Sequence, residues 1–175
     1  MESFGFDAHY DYANDRGLQI TAGASYISNI ADSNGLTDSL GLASIMNYIG
    51  GIDLYIHLDL ADFFLDAEYM AAIEDFQSTE LATAAGDGAR PAVWNFEEGY
   101  NWDWGRNLEI AFKYAGSEES ENLGFPENRY GIALNQTIFE GVICSLAFLH
   151  DKFDENETNG REERNVVFGQ IAIEF

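Results

Sequence analysis

The chain of 175 residues is poor in several residue types, and each shortage excludes a class of protein. Cys144 is the single cysteine, so an intramolecular disulfide and a cysteine-based zinc cluster are excluded. Lysine and arginine number 8 against 31 aspartates and glutamates, which gives a formal net charge of −23. This charge argues against nucleic acid or anionic lipid headgroups as the main ligand, because like charges repel. No apolar run approaches the ~18–20 residues that a membrane helix needs.

The composition is nevertheless apolar enough for a folded protein. Hydrophobic residues make up 46% and aromatic residues 14% of the chain, which excludes a disordered acidic tail. The length predicts a single domain over residues 1–175. The segment that follows Met1 lacks the basic and apolar regions typical of a signal peptide, so we expect none here.

The main organising signal is an alternation of apolar and polar residues. In the first such stretch, Phe6, Ala8 and Tyr10 alternate with Asp7 and His9. Successive side chains of a β-strand point to opposite faces, so the pattern predicts a strand with one apolar and one polar face. The alternation recurs at residues 18–26, 52–60, 65–74, 92–102, 108–114, 130–135, 144–148 and 167–175. These nine strands match the ~9–11 residues with which a tilted strand crosses a bilayer.

The predicted connections alternate in length. Short links fall at 14–17, 61–63, 103–106 and 139–141, and long polar links at 29–50, 77–90, 116–127 and 151–164. Short periplasmic turns alternating with long external loops are typical of outer-membrane barrels. The sequence therefore predicts an all-β fold, an antiparallel up-and-down transmembrane β-barrel with about nine strands present. Because single-chain bacterial barrels have an even number of strands, we expect an incomplete barrel, the C-terminal part of a longer one.

Aromatic residues cluster near the predicted strand ends, where amphipathic rings suit the two membrane interfaces. The residues expected in these interface girdles are Tyr10, Tyr12, Trp94, Tyr100, Trp102, Trp104 and Phe148. Glu98 and Gln136 fall on the apolar face, and we expect a β-bulge near Gly99 to turn Glu98 away from it.

The polar face is acidic, and in a barrel it would line an aqueous lumen that prefers cations. The predicted lumen-lining residues are Asp7, His9, Asp11, Asp53, His57, Asp59, Asp66, Glu68, Glu97, Glu109, Lys113 and Arg129. His9 and His57 each lie beside carboxylates, at similar predicted depth and roughly 10 Å apart by strand spacing. Such groups suit a transition metal or a ferric complex, but a hydrated lumen explains them as well, so no metal or cofactor is assigned.

No enzymatic role is expected. His150-Asp151 lacks the second His/Asp pair that an omptin-like protease would need, and no serine accompanies His150 on the apolar face.

The C-terminal segment resembles the closing strand of bacterial outer-membrane proteins. Its apolar residues stand at alternate positions before a terminal phenylalanine, namely Val167, Ile171, Ile173 and Phe175. The resemblance implies an assembly signal that the outer-membrane barrel assembly machinery reads.

Residues 92–100, 125–131 and 148–152 resemble the C-terminal half of the LbtU-type siderophore porins in order and spacing. The resemblance implies a Gram-negative outer-membrane porin surrounded by lipid. Such a porin would pass small solutes, ferric siderophores among them, passively and without TonB. The resemblance transfers no siderophore-binding residue to this chain. A general cation-preferring porin and a soluble acidic β-sandwich that acts as a binding module stay open as alternatives, and so does a homo-oligomer.

Overall fold

The computed structural model describes residues 3–31, 34–42, 45–103, 107–154 and 162–173. These residues form nine antiparallel strands in one sheet, which confirms the predicted all-β class and strand number. The strands are β1 Gly5–Ala13, β2 Leu18–Ile27, β3 Gly51–Leu60, β4 Phe63–Ala72, β5 Ala92–Trp102, β6 Leu108–Glu118, β7 Asn128–Phe139, β8 Val142–Lys152 and β9 Glu163–Ile173.

Each strand pairs with the next one along the chain, so the sheet runs up and down in the order β1 to β9. Short links follow the odd-numbered strands, at 14–17, 61–62, 103–107 and 140–141, and long links follow the even-numbered strands, as predicted. In the first short link Gly17 has a φ of +81°, which glycine adopts without steric cost. We call the two ends of the sheet the short-turn rim and the long-loop rim.

The sheet is open in the described residues. β1 and β9 are its edges, and each pairs with a single neighbouring strand. The free side of an edge strand presents backbone N–H and C=O groups that a further strand can bind.

The bulge expected near Gly99 is wrong. β5 keeps an unbroken register with β4 and β6, and Glu98 lies opposite Leu65 and Phe112 on the apolar face. Among the described strand pairs the register shifts at residues 137–139, at the short-turn end of β7. A carboxylate therefore stays on the apolar face, because no local change of the backbone turns it away.

The last long link is shorter than predicted, because both flanking strands extend into it. β8 continues to Lys152 and β9 begins at Glu163. Asp151 and Arg164 are therefore strand residues, and they are directly paired across β8 and β9.

A buried apolar cluster lies at the long-loop rim, where helix α1 Asn34–Leu40 packs against it through Leu36 and Leu40. Asn29 anchors this loop, because its Oδ1 accepts hydrogen bonds from the N–H groups of Ala31 and Ile49, at 3.1 and 3.3 Å. The buried members are Ala31, Ile45, Ile49, Ala72, Phe76, Leu81 and Ala89. In the described ranges, no helix has the length and apolarity needed to cross a membrane.

Candidate functional site

The polar face of the sheet is the candidate site. The strand register places all twelve predicted lumen-lining side chains on this one face. Paired positions also align into rows that cross the strands, and side chains directly opposite each other lie within contact distance. The sequence alone did not show these rows, because they depend on register.

One such row, which we call the acidic row, combines carboxylates with hydrogen-bond donors. It consists of Asp11, Thr21, His57, Asp66, Glu97 and Lys113. Thr21 donates its hydroxyl hydrogen to Asp11 at 2.7 Å, and Lys113 Nζ lies 3.6 Å from Glu97 Oε2. The carboxylates of Asp66 and Glu97 face each other, and like charges directly opposite destabilise a sheet. Each of these two carboxylates, however, has a donor or cation on its other side.

His57 is bound on both ring nitrogens by carboxylates. Its Nδ1 lies 2.6 Å from Asp66 Oδ1, and its Nε2 lies 2.9 Å from Asp59 Oδ2. A neutral imidazole has one N–H and can donate one of these bonds, whereas the protonated ring donates both. The arrangement therefore favours a positively charged His57 that offsets two negative charges. The three side chains are half-exposed.

His9 forms a separate cluster with its own strand neighbours. Its Nδ1 is 3.3 Å from Asp7 and its Nε2 is 3.6 Å from Asp11. His9 pairs with Gly23, whereas His57 pairs with Thr21, so the two imidazoles lie two residues apart in depth. In the part of the chain that the structure describes, no three His, Cys, Asp or Glu residues are grouped to hold a metal ion.

A second row carries the arginines, and we call it the arginine row. It contains Glu68, Asn95, Arg129, Asp151 and Arg164. Asp151 is fully buried and accepts four hydrogen bonds: Arg129 donates at 2.6 and 3.1 Å, and Arg164 at 2.8 and 2.6 Å. Arg164 also lies over the ring of Phe153, at 5.3 Å from its centroid.

Sequence reasoning missed Asp151 and Arg164. A signal was available, since extending the period-two pattern through residues 148–152 and 164–168 assigns both residues to the polar face. The same pattern separates His150, on the apolar face, from its neighbour Asp151. His150 Nδ1 lies 2.8 Å from Asn165 Oδ1.

Other carboxylates of the polar face have weaker partners. Asn135 Nδ2 donates to Glu109 Oε1 at 2.6 Å, and Ser25 Oγ donates to Asp53 Oδ2 at 3.3 Å. Asp53 Oδ1 and Asn95 Oδ1 are buried and have no hydrogen-bond partner among the described residues. The polar face thus holds a hydrogen-bond network in which two buried acceptors, on neighbouring rows, have no partner among the described residues.

The opposite face is apolar and exposed across all nine strands. Phe112, in the middle of the sheet, is 52% exposed. Other large side chains exposed on this face are Phe6, Tyr10, Leu54, Tyr69, Phe96, Ile132, Leu146, Val167, Ile171 and Ile173. Monomeric soluble proteins rarely expose a continuous apolar surface of this extent.

The predicted girdle aromatics lie on this apolar face in two bands. Near the short-turn rim, Tyr100 and Trp102 pack edge to face, with ring centroids 6.4 Å apart. Tyr10 and Tyr12 belong to the same band, and Trp94 and Phe148 lie toward the long-loop rim. Val167, Ile171 and Ile173 lie on the apolar face of β9, while Trp104 and Phe175 fall outside the described residues.

The fold and the site together define an all-β protein whose single sheet has one acidic, hydrogen-bonded face and one exposed apolar face. No family model matches the chain. It is 28% identical over 153 residues to the UPF0422 protein of Coxiella burnetii, an alignment that covers 86% of this chain and 33% of the relative. It is 26% identical over 162 residues to UPF0422 protein lpg2959 of Legionella pneumophila, covering 84% and 30% respectively. The chain therefore spans about a third of the length of the curated relatives it matches.

Proposed function

We propose that this chain forms part of the wall of an outer-membrane β-barrel through which small solutes permeate passively. The observation that carries the proposal is the exposure of the apolar face, opposite a polar face rich in hydrogen bonds. In a soluble protein the apolar face would pack on another layer to form the core. Here the buried cluster lies in the loops at one rim instead.

The dimensions of the sheet support the same proposal. The strands have 9 to 12 residues, which suits a tilted crossing of the hydrocarbon layer. Every described strand pair is antiparallel, so backbone hydrogen bonds are made between strands, as a lipid environment requires. The two edges would pair with further strands, which fits a chain that spans a third of its relatives.

The polar face would then line the water-filled lumen. Its β1 to β5 part carries Asp7, Asp11, Asp53, Asp59, Asp66, Glu68 and Glu97, so the field there favours cations over anions. The resemblance to LbtU-type siderophore porins extends the proposal to ferric siderophores as solutes and to uptake without TonB. A general cation-preferring porin needs the acidic face alone.

Folding with and without a membrane mimic tests the proposal. The purified chain is refolded in buffer, in detergent micelles and in lipid vesicles, and β-structure is followed by circular dichroism. We expect cooperative β-structure and a heat-dependent gel mobility shift only with detergent or lipid. Stable β-structure in plain buffer would instead support the soluble binding module. Reversal potentials across bilayers that contain the protein then test ion preference, and anion selectivity would contradict the acidic lumen.

A further inference from the structure

We propose that the long-loop rim of the polar face holds a binding site for a small organic cation with an apolar body. This inference deepens the proposed function and rests on it, because it names the class of solute that the mouth of the lumen would select. Three observations carry it: a cavity, a carboxylate in the lining of that cavity, and a second cavity that shares its wall.

The cavity lies where the long loops fold over the ends of β2 to β5. Its volume is about 500 Å³, which falls within the range of small-molecule sites. Most of its lining is apolar and comes from both the sheet and the loops, namely Ile27, Ile30, Met70, Val93, Leu123 and Phe125. Such walls suit the carbon skeleton of a ligand.

Asp53 supplies the charge. It lines the cavity, and its Oδ2 accepts a hydrogen bond from Ser25 Oγ at 3.3 Å. Its Oδ1 is buried and has no partner among the described residues. The carboxylate thus accepts one long hydrogen bond among the described residues, and a charged donor on a ligand in the cavity would add a stronger one.

A second cavity of about 380 Å³ adjoins the first, and the two share Met70, Val93 and Phe125. Asn95 lines it, and Asn95 Oδ1 is the other buried acceptor without a partner among the described residues. A ligand whose body lies along the shared wall can therefore extend into the second cavity while its ammonium group stays at Asp53.

The other charged groups of the second cavity face the same space. Glu68 is acidic, while Lys113 and Arg129 are engaged by Glu97 and Asp151 respectively. Lys113 and Arg129 are thus held by carboxylates of the sheet, whereas Asp53 has no cationic partner among the described residues. The geometry selects an ammonium group over a carboxylate.

The test uses two probes of the same shape and opposite charge, naphthylmethylammonium and naphthylacetate. Binding is measured by calorimetry to the chain folded in zwitterionic micelles, with empty micelles as the blank. We expect the cation to bind at least tenfold more tightly than the anion. Asp53→Asn keeps the side-chain size and should weaken cation binding roughly tenfold, the loss of one charge-assisted bond. Asp62→Asn makes the same charge change on the exposed turn after β3 and should leave binding unchanged.

A second variant keeps the proposal falsifiable by a different route. Val93→Trp fills the shared wall while Asp53 stays intact, and it should abolish binding of both probes. Equal binding of the two probes, or an unchanged affinity in both Asp53→Asn and Val93→Trp, would overturn the inference. Failure of the porin proposal is separate, because it is read from the need for detergent in folding, which no probe affects.

Discussion

Ser145 and Leu146 are neighbours on β8, yet they belong to faces of opposite chemistry. Ser145 lies between Asn135 and Gln170 on the polar face, while Leu146 lies on the apolar face and is 54% exposed. Side chains are exposed on both faces of this sheet, so burial does not distinguish the two faces. What separates them is the partner that each requires: hydrogen-bonding groups and water on one side, and an apolar phase on the other.

The largest effect on stability is expected when a charge is placed on each face in turn. Leu146 is near the middle of β8, so in the proposed barrel Leu146→Arg would put a cation at the centre of the lipid layer. We expect it to lower the free energy of unfolding in lipid vesicles by about 2–4 kcal/mol. Ser145→Arg is the matched control and should cost less than about 1 kcal/mol, because its side chain points to water. Urea titration measures both, and equal losses would contradict the assignment of the faces.

Within the polar face, the carboxylate of the arginine row and the carboxylates around His57 differ in how much each contributes to stability. Asp151 is fully buried between two arginines, so Asp151→Asn should cost about 2–3 kcal/mol, since it weakens bonds to charged groups. Asp59 is half-exposed beside His57, so Asp59→Asn should cost less than about 1 kcal/mol. Urea titration of the vesicle-folded protein compares them. A larger loss for Asp59→Asn would show that the carboxylates around His57, and not the arginine row, stabilise the sheet more.

Glu98 is an exception to the separation of the two faces, because this charged residue lies on the apolar face opposite Leu65 and Phe112. We expect Glu98→Leu to stabilise the vesicle-folded protein by about 1 kcal/mol, since acidic residues are penalised less than basic ones on a lipid-facing surface. Glu97→Leu, at the neighbouring position on the polar face, should not stabilise it. A destabilised Glu98→Leu variant would mean that the carboxylate has a partner in the complete protein.

The smallest expected effect concerns the field of the acidic row. Replacing Asp11, Asp66 and Glu97 by their amides together should reduce cation preference in reversal-potential measurements. Each exposed charge interaction is worth below about 1 kcal/mol, so we expect less than a fivefold change in the permeability ratio per residue. The change should shrink further at high salt, because screening shortens the range of the field. An unchanged ratio at low salt would remove the acidic row from the conduction path.

The sequence was sufficient for the number of strands and for the faces of their central residues, because both follow from the period-two pattern. It placed residues such as Asp66 and Glu97 correctly on one face, and it predicted the alternation of short and long links. It was not sufficient for the cross-strand rows, because these depend on register. The bond between His57 and Asp66 and the pairs around Asp151 are contacts between strands, which spacing along the chain does not encode.

The error at Glu98 has a different cause. We assumed that an acidic residue in an apolar row must be turned away by the backbone, whereas β5 keeps its register and leaves the side chain exposed. The cavity beside Asp53 could not be predicted from the sequence either, since it forms where loops distant in sequence fold over the sheet.

The most direct test of the account uses the native Cys144 and its neighbour Ser145. Cys144 lies on the apolar face, and the double variant Cys144→Ser, Ser145→Cys moves the thiol to the polar face. A small fluorophore is attached to each protein in lipid vesicles, and quenching by brominated acyl chains is compared with quenching by acrylamide in the water. We predict lipid quenching for the wild type and acrylamide quenching for the double variant. Acrylamide quenching at both positions, or lipid quenching at neither, would contradict a sheet with one face in lipid and one in water.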